Sequence, residues 1–122
     1  MRRWGALGAG ACVLGLAGAA LAHSILLESS PGAGATVTAP TQLTARFNNR
    51  IEKPLSRLRL LDARGEPLPL AAPVADGPAD RLTTALPPLR PGAYRVEWQV
   101  LSTDGHIVRG GFSFRVVPQA MR

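Results

Sequence analysis

The segment "PGAYRVEWQVL" limits what this chain can fold into more than any other. After the turn at Pro91-Gly92, Tyr94, Val96, Trp98 and Val100 fall on one side, with Arg95, Glu97 and Gln99 on the other. A repeat of two belongs to a β-strand with one buried face, whereas a helix would scatter these apolar residues around its circumference. "GFSFRVV" repeats the pattern, with Phe112, Phe114 and Val116 set against Ser113 and Arg115. So does "TQLTARF" through Leu43, Ala45 and Phe47, and "LSRLRLLDA" through Leu58 and Leu60, followed by a turn at Gly65. "SILLES" and "RLTTAL" are further short candidates, and the proline-rich "PLPLAAPVADGPAD" reads as a loop or an irregular sheet edge. Six or seven short strands at this spacing predict an all-β, Ig-like antiparallel sandwich. Trp98 and the phenylalanines belong to its core, and no segment after residue 22 carries a long amphipathic helical pattern.

The N-terminus sets the domain boundaries. Arg2 and Arg3 form a basic head, "GALGAGACVLGLAGAAL" an apolar run, and Ala20-Leu21-Ala22 an A-x-A end. These are the three parts of a secretory signal peptide. An uncleaved membrane anchor is the alternative, weakened because the run from Gly5 to Ala22 is short and rich in Gly and Ala. The expectation is a signal over residues 1–22, cleavage after Ala22, and one domain over residues 23–122 that starts with a free amine on His23. Cys12, the only cysteine, then leaves with the signal, so neither disulfides nor thiolate ligands are available to the domain.

The chain has 14 basic and 8 acidic residues, a net charge of +6, and loss of Arg2 and Arg3 reduces this to +4. The basic residues after position 22 are Lys53 and arginines scattered singly along the sequence. Nucleic-acid binders cluster such charge with aromatics or a recognisable motif, and neither is present. The charge reads as a solvated surface with no nucleic-acid partner.

The chain has two histidines, His23 and His106. Asp104 and His106 are separated by Gly105 in "LSTDGHIVRGG". In an extended segment, residues two apart project to the same side, so a carboxylate and an imidazole can converge on one ion. Gly105 would let the loop tighten, although Asp-Gly is equally the commonest kind of hairpin-turn dipeptide. A terminal His23 adds two donors from one residue, its α-amine and its nearer ring nitrogen. Three nitrogens and one oxygen suit Cu(II) in a tetragonal plane, and zinc accepts the same atoms tetrahedrally, so geometry arbitrates.

"HSILLESSPGAGATVTAP", "LTARFNNRI", "LRLLDARGEP" and "PGAYRVEWQVLSTDGHIVRGGFSFRV" together resemble the CopC family of exported copper-resistance proteins. The most specific parts are the His that follows the signal and the S-x-D-G-H stretch before the last strand. The resemblance implies a seven-stranded Greek-key sandwich that binds Cu(II) in the periplasm through His23 (amine and ring), Asp104 and His106. It also implies a CopD-type inner-membrane protein as a partner for copper delivery. Some members carry a methionine-rich loop for Cu(I); after residue 22 this chain has only Met121, so it reads as a Cu(II)-only member.

Three functions follow. The first is a Cu(II) carrier or buffer for copper homeostasis and resistance, with binding and no turnover. The second is a copper-dependent oxidase of the polysaccharide-monooxygenase type, which also begins with His on an Ig-like scaffold. That reading needs a broad face for the polymer and an open position for oxygen, which an Asp ligand would fill. The third is a metal-free Ig-like interaction module. A hydrolytic pairing of Ser102 or Ser113 with His106 has no nucleophile elbow to support it.

Overall fold

A computed structural model describes residues 25–119. The expected signal segment, its cleavage point, Cys12, His23 and Met121 lie outside the described residues. Among the described residues are eight strands: β1 (Leu26–Ser30), β2 (Thr36–Val37), β3 (Gln42–Phe47), β4 (Arg57–Leu61), β5 (Pro67–Leu68), β6 (Arg81–Ala85), β7 (Gly92–Leu101) and β8 (Ile107–Val116). They form two sheets, one in the order β1-β3-β6 and the other β2-β8-β7-β4-β5. Each alternating segment became a strand with its apolar side inward. Leu43, Ala45 and Phe47 face Leu58, Leu60, Val96, Val100, Phe112 and Phe114 across one core, and Trp98 seals one side of it.

Two aromatic contacts fix the register of that core. Phe47 meets Trp98 edge-on across the two sheets, ring centroids 5.1 Å apart, and Tyr94 stacks on Phe114 at 5.7 Å. Such pairs add directional preference to area burial. The Tyr94 hydroxyl donates to the Arg90 carbonyl at 2.6 Å, tying the start of β7 to the turn before it, a corner typical of Ig-like sandwiches.

The structure differs from the sequence expectation in two places, the direction of β2 and the start of β8. β2 pairs with β8 in parallel, Thr36 opposite Arg115, although all pairings were expected to be antiparallel. Two residues carry too little periodicity to announce a strand. The proline-rich segment contributes an edge, as expected, through β5 paired with β4. β8 starts at Ile107, four residues before "GFSFRVV", because Arg109, Gly110 and Gly111 pair with Gln99, Trp98 and Glu97.

Gly110 sits against the core. A Cβ built there would lie 2.3 Å from Cζ2 of Trp98, and that ring is itself held by Phe47. Gly110→Ala is expected to destabilise the domain by about 1–3 kcal/mol, the usual cost of overpacking. Urea unfolding of the purified domain measures this as a lowered midpoint.

Candidate metal centre

Residues 102–106 join β7 to β8. The Gly105 N–H donates to the Ser102 carbonyl at 2.9 Å, and the Ser102 N–H donates to the His106 carbonyl at 2.9 Å. This is a hairpin closed by a turn whose last residue is left-handed, and Gly105 supplies that residue with φ of 91°. Any side chain there would be strained. The turn reading of Asp-Gly therefore holds, and the same turn sets Asp104 beside His106. Asp104 and His106 are brought together by the turn, and not by two-residue alternation along an extended strand.

The Asp104 carboxylate divides its work. Oδ1 accepts a short hydrogen bond from the Ser102 hydroxyl and a second, at 3.2 Å, from the His106 backbone N–H. Oδ2 is left facing Nδ1 of His106 at 3.1 Å. The Ser102 hydroxyl, buried at the foot of the turn, also lies 3.1 Å from the His106 carbonyl, and its single proton serves one acceptor at a time. Directed at Asp104 and at backbone, it does not activate a nucleophile. The Ser102 hydroxyl, followed by the His106 contacts, holds the Asp104 carboxyl down to about 2. A depressed carboxyl contributes stability present above its unfolded value near 3.9 and lost as pH falls through about 2. The turn is therefore fully set at neutral pH.

Ser102 was overlooked as a positioning residue, although the Ser-x-Asp spacing was there to find it. Ser102→Ala removes the largest cause of the shift, so the Asp104 carboxyl is expected to rise towards the ordinary carboxylate range. A carbon-13 titration of the Asp104 carboxyl in metal-free protein measures the change.

The location of this turn follows from pairings far apart in sequence. Ile51 bridges to Ser102, and the Glu52 N–H donates to the Leu101 carbonyl at 2.9 Å. Three residues before Ile51, Asn48 holds Ile25 from both sides. Its side-chain Oδ1 accepts from the Ile25 N–H at 2.8 Å, and its own N–H donates to the Ile25 carbonyl at 3.0 Å. Ile25, the first described residue, is thus fastened at the same end of the sandwich as the Asp104–His106 turn.

The chemistry of the pair fits a small divalent ion. A carboxylate oxygen and an imidazole nitrogen 3.1 Å apart have the spacing of neighbouring donors on one ion with bonds of about 2 Å. Without an ion, the same contact is an N–H donating to a carboxylate. Among the described residues no third His, Cys, Asp or Glu joins them.

The match to known proteins is decided by the CopC domain model, which aligns with residues 26–117. The chain belongs to the CopC family. "Copper resistance protein C" of Escherichia coli is 34% identical over 115 residues, covering 88% of this chain and 91% of the relative. The crystal structure of CopC from Methylosinus trichosporium OB3b superposes with a TM-score of 0.73 at 36% identity, covering 82% of this chain and 99% of that one. PcoC, described as a methionine-rich copper resistance protein from Escherichia coli, gives 0.67 at 30% identity, covering 78% and 99%. The Ig-like sandwich expected from the strand pattern is the fold of these CopC neighbours. The CopC domain match contains Asp104 and His106, and begins three residues after His23.

Proposed function

We propose that this protein is an exported Cu(II)-binding protein of the periplasm, acting in copper homeostasis or resistance by binding the ion without turnover. One observation carries the proposal: Asp104 Oδ2 and His106 Nδ1 lie 3.1 Å apart on an exposed turn that shares its end of the fold with Ile25. The names of the relatives supply the metal, since copper appears in each of those cited above except the CopC structure itself.

Copper is the cargo, and its donors are His23 through its amine and ring, Asp104 and His106. Removal of residues 1–22 after Ala22 frees the amine. Only Ser24 lies between His23 and the fastening at Ile25, so His23 is two residue steps away, a reach of at most about 7 Å for extended chain. Ser102 and the Asp104 Oδ1 contacts hold the carboxylate before copper arrives, so little ordering is left for the moment of binding. Binding through Nδ1 would place the proton of the neutral His106 ring on Nε2.

The oxidation state follows from donor hardness. Imidazole, amine and carboxylate suit Cu(II), whereas Cu(I) prefers thioethers, and the chain's two methionines are Met1 and Met121. This contrasts with PcoC, named for its methionines. A CopD-type membrane protein is the proposed recipient.

A paramagnetic resonance spectrum of the copper-loaded chain beginning at His23 tests the assignment. Three nitrogen donors in a tetragonal Cu(II) signal are expected. One nitrogen or none rules out this ligand set.

A further inference from the structure

Four of the arginines that are scattered in sequence gather on one face of the fold. On the outer side of the five-stranded sheet, Arg57, Arg59, Arg95 and Arg109 surround a cavity of about 410 Å³. The pairing register makes this so: Arg57 lies opposite Gln99, Arg59 opposite Glu97, and Gln99 opposite Arg109.

Two features distinguish the face from a solvated charge run. The guanidiniums are held in place and under-compensated. Arg59 Nη1 reaches Glu97 Oε1 at 3.1 Å, and Arg95 Nε reaches Oε2 of the same carboxylate at 3.7 Å. Arg109 Nε donates to the neutral Gln99 amide at 2.9 Å, and Arg57 has no ion pair among the described residues. Four positive charges therefore share one negative charge around one hollow.

The Arg95 guanidinium lies over Gly111. A Cβ on Gly111 would lie 2.5 Å from the Arg95 guanidinium, so glycine there is what admits that group to the face. Gly110, Trp98 and Gln99 complete the lining along β7 and β8.

We propose that this face is a binding site for a compact oxyanion carrying two or more negative charges, of the phosphate type. Forked guanidiniums recognise such clustered oxygens with two parallel hydrogen bonds, and Glu97 and Gln99 have already oriented three of the forks. The source is either a soluble phosphate compound or the headgroup of an anionic lipid. The site is separate from Asp104 and His106, and its test uses metal-free protein, so it stands or falls independently of copper binding.

The probe is inorganic pyrophosphate, titrated into metal-free protein without divalent ions and followed by amide NMR. Saturable shifts at Gln99, Gly110 and Gly111 are expected, and Arg57→Gln and Arg109→Gln should each weaken binding about tenfold, the scale of one hydrogen bond to a charged group. Arg46→Gln removes the same charge from the other sheet, where Arg46 pairs with Glu28. It should leave the affinity unchanged. Shifts that do not saturate, or an equal loss in Arg46→Gln, overturn the proposal by reducing the effect to net charge. Vesicles of phosphatidylcholine with and without phosphatidylglycerol distinguish the source. Retention on the anionic vesicles that is lost in Arg57→Gln assigns the headgroup, and no retention alongside saturable pyrophosphate binding assigns a soluble ligand.

Discussion

One extra residue ahead of His23 is expected to weaken Cu(II) binding by about 10²–10⁴-fold, the range by which tethering a second contact raises affinity. The added peptide bond turns the α-amine into an amide. The six-membered chelate between amine and ring is lost, and His23 is left to bind through imidazole alone. Nothing in the described fold is disturbed, because the chain is fastened downstream, at Ile25, by Asn48. A competition titration against a chelator of known affinity measures the loss, with Arg64→Gln as a surface control. Equal affinity in the extended and mature chains removes the amine from the ligand set. The same variant tests the expected cleavage site, since a mature chain that began elsewhere would present no terminal histidine.

The second large effect is on pH. Copper requires neutral imidazole and deprotonated amine, groups that in short free peptides titrate at about 6.5 and about 7.7–8.0. Protons compete with the ion for three of the four proposed donors as pH falls. Between pH 7 and pH 5 the apparent affinity is expected to drop by roughly four to five orders of magnitude. Asp104 takes no part in that drop. Its carboxyl, held at about 2 chiefly by Ser102, is ionised throughout the interval. The direction is therefore set by the nitrogens, and copper is released in acid while the turn remains formed. Titrations at a series of pH values in non-coordinating buffer give the slope. A change smaller than tenfold across the interval is incompatible with two imidazoles and an amine.

The two readings of Asp-Gly show how far local sequence reaches. Gly105 could be recognised as a residue suited to a tight turn, and the structure places it at φ of 91°. That His106 would meet Asp104 was also expected, although through an extended segment. The turn does it instead, because Ser102 and the His106 N–H seize Oδ1 and turn Oδ2 towards the ring. Those partners sit two residues to either side of the carboxylate, close enough to have been read from S-x-D-G-H.

The grouping of four arginines was not legible in the sequence, for a different reason. Along the sequence, Arg57, Arg59, Arg95 and Arg109 look isolated and solvated. In the sheet they line one hollow, because β4, β7 and β8 are neighbours and each presents its polar alternates to the same side. No window of the sequence contains that fact.

What the sequence determined by itself was the inward face of each strand, the turn between the last two strands and the type of donor atoms on offer. These depend on bond geometry and on residues two to four places apart, which covalent connection fixes. Strand order was decided only in the tertiary structure. It brought Asn48 to Ile25 and Ile51 to Ser102, set the chain's entry at the end of the Asp104–His106 turn, paired β2 in parallel with β8, and collected the arginines. Those contacts join residues 23 to 79 positions apart, and they exist because burying Phe47 against Trp98 closes two sheets over one core.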